Sequence, residues 1–258
     1  MRILMIGDVV GRPGRRAVGA LVPELRRELG LDFVIANGEN AAAGRGLTAA
    51  TAHELLNAGV DVITSGNHIF AQKDIIPYLD GSLPVLRPAN YPPGAPGRGM
   101  VTVGGVTVLN LIGRTFLGAY DDPFRAADAL LEAAPAGGPL VVDFHAEATS
   151  EKVAMGWYLD GRVTAVLGTH THVPTADLRV LPGGTAYVTD VGMVGAARSV
   201  IGNEVQASLR RFLTGMPERL SVAEAGPVLL NAVLVETDGA GPRARSIIRV
   251  DREYEIDG

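Results

Sequence analysis

One pattern recurs along the first two-thirds of the chain and restricts its fold more than any other feature. A short β-branched run ends in a polar cluster, and an amphipathic or Ala-rich stretch often follows. Arg2–Ile6 leads to Gly7-Asp8, Asp32–Ala36 to Asn37-Gly38-Glu39-Asn40, and Asp61–Thr64 to Ser65-Gly66-Asn67-His68. Leu140–Phe144 leads to His145-Ala146-Glu147, and Val163–Leu167 to Gly168-Thr169-His170-Thr171-His172. Runs this short and this apolar fit strands buried on both faces of a sheet. Between them, Val18, Leu21, Val22, Leu25 and Leu29 mark Gly14–Leu29 as an amphipathic helix, and Thr48–Ala58 reads as a second. Asp122-Pro123 ahead of Phe124–Ala134 has the form of an N-cap with proline at the first helical position. Strands alternating with helices predict an α/β fold.

Two regions break the rhythm. Pro84–Gly99 carries five prolines and is expected to be an ordered loop over one face of the sheet. From Leu178 the chain turns strand-rich, with Leu178–Leu181, Ala186–Thr189, Val228–Glu236 and Ala244–Val250. The last two flank a turn at Thr237–Gly241 and read as an antiparallel pair. No linker, repeat or low-complexity tail interrupts residues 1–258, so a single domain is expected.

Composition removes several classes of function. At 47% apolar and 20% charged residues, the 258-residue chain can bury a large core. It has no cysteine, so disulfides, Cys-ligated zinc, iron–sulfur clusters and a thiol nucleophile are excluded. Its net charge of −5 has the wrong sign for clamping a nucleic-acid duplex, although a small phosphate-bearing substrate stays open if positive charge is supplied locally. No segment reaches the ~20 uninterrupted apolar residues of a membrane span, and Asp8 cuts short the apolar start that imitates a signal peptide. A soluble cytoplasmic protein is the expectation.

In an open α/β sheet, ligands bind outside the carboxyl ends of the strands. Here those ends carry Asp8, Glu39 with Asn40, Asn67 with His68, His145, and His170 with His172. Four of the five histidines fall there; only His53, inside the second helix, lies elsewhere, and it reads as a surface or satisfied helix residue. Taken singly, each feature has an ordinary reading as a cap, a turn or a hydrogen-bonded core histidine. Five unrelated turns would not concentrate the histidines, however. His170 and His172 in an extended segment would point the same way. Carboxylate and amide oxygens with imidazoles and no thiolate suit Mn²⁺, Fe²⁺ or Zn²⁺. Two such half-sites sharing one carboxylate would hold two ions ~3.5–4 Å apart, the spacing used in phosphoryl chemistry.

Competing motifs fail. Gly7-x-x-x-Gly11-x-x-Gly14 lacks the dinucleotide spacing, and Asp8 would place negative charge beside a pyrophosphate. There is no P-loop and no Gly-x-Ser-x-Gly elbow. His145-x-Glu147 opens like a zinc deaminase, but the cysteines that site requires are missing.

As an ordered set, Asp8, Gly38-Glu39-Asn40, Gly66-Asn67-His68, His145 and Gly168-Thr169-His170-Thr171-His172 resemble the signature of calcineurin-like metallophosphoesterases. Gly7–Gly14, Ala36–Asn40, Arg87–Pro92 and Thr189–Met193 resemble its bacterial branch of 2′,3′-cyclic-nucleotide 2′-phosphodiesterases, over essentially the whole chain. Two positions depart from the wider superfamily: its first Asp-x-His is Asp8-Val9-Val10 here, and its Gly-Asp is Gly38-Glu39, with Asn40 available to fill the gap. The resemblance implies a four-layer α/β/β/α sandwich with two mixed sheets. It further implies one ion on Asp8, Glu39, Asn40 and His172, a second on Glu39, Asn67, His145 and His170, and His68 as proton donor.

The expected activity is therefore hydrolysis of 2′,3′-cyclic nucleotides and other phosphodiesters by a hydroxide held between two divalent ions, iron before manganese. His68 would protonate the departing sugar oxygen. Arg87 and Asn90 are candidate phosphate or base contacts, with a structural role in their loop as the alternative; Glu147 is a candidate partner of a ligand histidine. A phosphomonoesterase on small metabolites or phosphoproteins, and a non-catalytic nucleotide or metal sensor, are the other readings. The expected partner is a small phosphodiester, with no nucleic-acid duplex and no membrane; the sequence leaves the oligomeric state open, a homo-oligomer included.

Overall fold

A computed structural model describes residues 1–238 and 243–255. In chain order the elements are β1 (Arg2–Val9), α1 (Gly11–Leu29), β2 (Phe33–Asn37), α2 (Ala49–Asn57), β3 (Val62–Thr64), α3 (Ile76–Leu79), β4 (Met100–Val103) and β5 (Val106–Ile112). There follow α4 (Pro123–Ala133), β6 (Leu140–His145), α5 (Thr149–Tyr158), β7 (Ala165–Thr169), β8 (Arg179–Val180), β9 (Ala186–Val188) and β10 (Met193–Ala196). The last are α6 (Val205–Thr214), β11 (Val228–Leu230), β12 (Ala232–Thr237), β13 (Ala244–Arg249) and β14 (Arg252–Tyr254). The expected strands and helices of the first two-thirds are all present. Asp122 caps α4 by accepting from the Phe124 and Arg125 amides, with Pro123 inside the first turn.

The strands form two mixed sheets. In the first, β1 lies parallel to β2 and β10 and antiparallel to β12; β2 continues to β3, and β11, β13 and β14 complete eight strands. The second runs β4-β5-β6-β7-β9-β8, with β5, β6, β7 and β9 parallel. Three buried apolar clusters separate the layers. Val18, Val22 and Leu25 of α1 and Leu55 of α2 pack with Leu4, Ile6 and Val34 of the first sheet. Ile3, Met5, Ile35 and Val62 meet Val108, Val141, Leu167 and Val188 between the sheets. Phe144 and Val166 pack with Ala127 of α4 and Met155 of α5 on the far side. Alternate residues of β1 thus feed different layers, as the two-residue period of a strand requires. The result is the expected four-layer α/β/β/α sandwich.

Two details differ from the pattern reading. β4 and β5 lie outside the expected strands; they form a hairpin through Gly104-Gly105, whose φ values of 56° and 82° are those of a type I′ turn. Val228–Glu236 is two strands, because Asn231 leaves the ladder: its carbonyl accepts from the Gly7 amide at 3.0 Å and its amide donates to the Met193 carbonyl at 3.0 Å. β11 consequently pairs with β10, and β12 with β1. β12 and β13 form the expected antiparallel pair, while Gly239–Gly241 of the turn between them lie outside the described residues. No helix among the described residues is long and apolar enough to cross a membrane.

A candidate dinuclear metal centre at the seam of the sheets

The first sheet delivers Asp8 from β1 and, just past β2 and β3, Glu39-Asn40 and Asn67-His68. The second delivers His145 as the last residue of β6, and His170 and His172 just past β7. All of the expected ligands therefore meet at one edge, where the two sheets come together.

His145 is fully buried and stands at the centre. Its Nε2 lies 3.0 Å from Asn67 Oδ1, 3.2 Å from Glu39 Oε1 and 3.0 Å from His170 Nδ1. Glu39, His145 and His170 bring one ligand atom each within 4.8 Å of one another, and with Asn67 they make up one expected half-site. The other is looser. His172 Nε2 lies 3.2 Å from Asn40 Nδ2 and 3.8 Å from Asp8 Oδ1. Asp8 is fully buried, and its Oδ1 makes no hydrogen bond among the described residues. An orphaned carboxylate oxygen in a dry site carries a desolvation cost of several kcal/mol unless a cation answers it. The nitrogens of His172 and His145 face that oxygen from 3.8 and 3.9 Å, a spacing and donor set that fit a divalent cation, and the absence of thiolates fits a borderline or hard one. Asn40 directs its amide nitrogen toward His172 and Glu39; turned over, the same side chain offers an oxygen to the same place.

The electrostatics carry the same message. Burial pushes the Asp8 carboxyl up to about 6, despite His172 and His145. Burial also acts upward on Glu39, but the facing His145 and His68 outweigh it and hold the carboxyl well below its usual range. For His145, burial acts downward, and Glu39, Asp8 and Asp143 overcome it to lift the ring to about 9. Burial and the neighbouring His145 push His170 down to about 3. A proton on His145 thus supplies the positive charge that the carboxylates demand.

Residues that the strand-end pattern overlooks hold the centre in place. Asp143, inside β6, accepts from Thr169 Oγ1 at 2.7 Å, and that hydroxyl lies 2.9 Å from His145 Nδ1. Asp143 also accepts from Thr64 and from Asn37 Nδ2 at 3.0 Å, tying β6 to β2 and β3 across the layers. The sequence did carry a signal: one carboxylate in an otherwise apolar run, two residues before His145. Glu147, half exposed, pairs with His170 Nε2 at 3.0 Å, the partnership anticipated for it.

His68 lies beside Glu39 and Asn40. Its Nδ1 lies 2.9 Å from Asn40 Oδ1 and 3.4 Å from Glu39 Oε1, its amide donates to Glu39 Oε2 at 3.0 Å, and its side chain is 27% exposed. His53 is exposed and pairs with the Ala49 carbonyl, as expected. Arg87 and Asn90 take the structural alternative. The Arg87 guanidinium donates to the carbonyls of Pro88, Ala89, Ala95 and Pro96 of its own loop. The buried Asn90 side chain donates to the Ile112 and Asp121 carbonyls and accepts from the Ile112 amide. His170 and His172 do not share a strand face as expected: their φ values of 102° and 66° are left-handed, so a tight turn and not strand alternation brings the rings to the centre.

Comparison with known proteins agrees with this geometry. Residues 4–250 match the model of the YmdB-like protein family. A Bacillus subtilis protein named 2′,3′-cyclic-nucleotide 2′-phosphodiesterase is 49% identical over 97% of this chain and 96% of its own. The crystal structure of a hypothetical protein from Thermus thermophilus superposes with a TM-score of 0.92 at 48% identity, covering 98% of this chain and 99% of that one. That of a novel phosphatase from Mycoplasma pneumoniae gives 0.92 at 33% identity, over 99% and 94%. The chain belongs to the YmdB-like family, within the metallophosphoesterase superfamily.

Proposed function

We propose that this chain is a phosphodiesterase that uses two divalent cations, iron or manganese, to open 2′,3′-cyclic nucleotides to 3′-phosphates. The observation that carries this reading is the buried centre itself, where His145 Nε2 faces Asn67, Glu39 and His170 while Asp8 Oδ1 makes no hydrogen bond among the described residues. Asp8, Glu39, Asn40 and His172 would hold one cation, and Glu39, Asn67, His145 and His170 the other. Bound there, the cations supply positive charge for the phosphoryl oxygens and acidify a water into the neutral range. That answers the repulsion between a phosphate and a chain of net charge −5.

The chain's own groups complete the reaction. A water oxygen adds to phosphorus, the bond from phosphorus to O2′ breaks, and O2′ needs a proton. His68 would give it: its amide donates to Glu39 Oε2 at 3.0 Å and its Nδ1 lies 3.4 Å from Glu39 Oε1, so its Nε2 would serve the leaving oxygen. Chromatography of the products from 2′,3′-cyclic nucleotides tests the reading. A 3′-nucleotide is expected. Inorganic phosphate released from monoesters, with cyclic diesters untouched, would replace it with the phosphomonoesterase reading. We carry self-association as part of this proposal, because Leu209, Phe212 and Leu213 of α6 leave an apolar face exposed; a monomer in sedimentation velocity overturns that part.

A further inference from the structure

Both half-sites depend on one tight turn, and the turn is held by a pair of groups that touches neither candidate cation position. His170 and His172 belong to different ligand sets, and each holds a left-handed backbone that non-glycine residues adopt only when their surroundings impose it. Between them, Thr171 gives its amide and its hydroxyl to Asp190 Oδ2, at 3.1 and 2.8 Å. The preceding amide, of His170, donates to Asp8 Oδ2 at 3.0 Å. Two successive N–H groups are thus claimed by two different buried carboxylates.

Asp190 is itself fully buried, and three contacts fix its direction. Its Oδ1 accepts from the Gly192 amide at 2.9 Å, its amide donates to Thr175 Oγ1 at 2.9 Å, and its Oδ2 takes the ammonium of Lys152 at 2.7 Å. Lys152 lies on α5 and is only 2% exposed. A buried ion pair is weak grounds for stability, since apolar replacements of similar volume are often neutral or better. It does specify direction. Without the ammonium, the buried Asp190 carboxylate would lose the contact that aims its Oδ2 at Thr171.

We propose that Lys152 and Asp190 are a positioning pair that presets the His170-Thr171-His172 turn, so that the affinities of both cation sites depend on them together. The inference rests on the two-set reading of the site. Thr171 is the place to test it, because Thr171→Val removes the hydroxyl bond to Asp190 at nearly constant volume, and Thr171→Ser restores the hydroxyl. Chelator-treated wild type, Thr171→Val, Thr171→Ser and Lys152→Met are titrated with manganese alone, by calorimetry and by the free-ion magnetic resonance signal. The melting temperature of each metal-free protein is recorded alongside.

Loss of a partner that orients a ligand typically costs about 10–100-fold in metal affinity. Thr171→Val and Lys152→Met should lose that much at both sites, Thr171→Ser should bind like wild type, and metal-free Thr171→Val should melt close to wild type. Wild-type manganese affinity in Thr171→Val overturns the proposal, and so does a Thr171→Ser as weak as Thr171→Val. Wild-type affinity in Lys152→Met removes the lysine from the device. Should Lys152→Met fail to fold, the two threonine variants decide. If wild type takes up one ion at saturation, the two-set reading fails, and an unchanged affinity for that one ion in Thr171→Val overturns the pair separately.

Discussion

At the scale of single residues, the proposed mechanism divides the centre into groups that would hold charge and one, His68, that would move a proton. A ribose alkoxide is a poor leaving group, and a positioned acid typically contributes about 10²–10⁴-fold. His68→Ala is expected to slow turnover of cyclic nucleotides by that order while leaving metal content near wild type. A nitrophenyl diester, whose phenolate leaves unaided, should lose much less; equal losses on both substrates would mean that the ring positions phosphate instead. His145 carries a second expectation. Its ring is lifted to about 9, so at pH 7.5 it is charged in the metal-free protein, whereas Asp8 at about 6 is already ionised and His170 at about 3 is neutral. A ligand must be free of its proton, so cation binding at pH 7.5 should release about one proton per chain. Because the folded value lies above that of a free imidazole, the release should be largest below 9 and vanish as the pH rises through it. Calorimetry in buffers of different ionisation enthalpy reads the number directly. The cluster itself was legible in the sequence because histidines at strand ends are rare and chemically loud. What Asp143, Thr169, Lys152 and Asp190 do was not, since a polar residue inside a motif or an apolar run shows its partner only once the fold brings the two together.

At the scale of elements, the site is made by places where backbone approaches side chain too closely for anything but glycine. Gly66, between β3 and Asn67, is one: a Cβ there would overlap the His145 ring and Glu39 Oε2. Gly66→Ala should therefore empty the second half-site first and cost about 1–3 kcal/mol of stability by overpacking. Metal analysis beside thermal melting checks both, and full metal content in a stable variant would mean that the centre has slack the distances do not suggest. The main elements of this architecture follow from short apolar runs and capped amphipathic stretches, signals that are local. What escaped the pattern is either masked or non-local. The β4–β5 hairpin turns on a Gly104-Gly105 pair that was visible but stands beside a proline-rich loop. The break at Asn231 arises because β1 is bordered in succession by β12 along Arg2–Ile6 and by β10 at Asp8–Val9, a fact about pairing partners that no single run contains. The left-handed turn of His170 and His172 depends on Asp8 and Asp190, which are distant in sequence.

At the scale of the whole molecule, the centre lies where the two sheets meet, and its ligands are divided between them. Asp8, Glu39, Asn40 and Asn67 come from the first sheet and its loops, His145, His170 and His172 from the second. Apolar packing joins the sheets beneath, through side chains such as Ile35 and Val141, and the Asp143 bonds to Asn37 and Thr64 join them at the edge. Cations held by both sets would add a third connection, one that the unfolded chain cannot offer. At a hundredfold excess over its dissociation constant, a ligand that binds only the folded state adds about 2.7 kcal/mol. At about 2–4 °C per kcal/mol for a chain of this order of size, that corresponds to a rise in melting temperature of roughly 5–11 °C. Glu39 is the one residue assigned to both ligand sets, so Glu39→Gln should weaken the two sites together and abolish most of that rise, whereas His145→Ala should empty mainly one site and keep part of it. The comparison is made on the same preparations, with manganese added back after chelation, recording ion stoichiometry and melting temperature for each. A Glu39→Gln protein that still takes up one ion at wild-type affinity would show that the carboxylate does not bridge, and the two half-sites would then be independent sites that happen to share a seam.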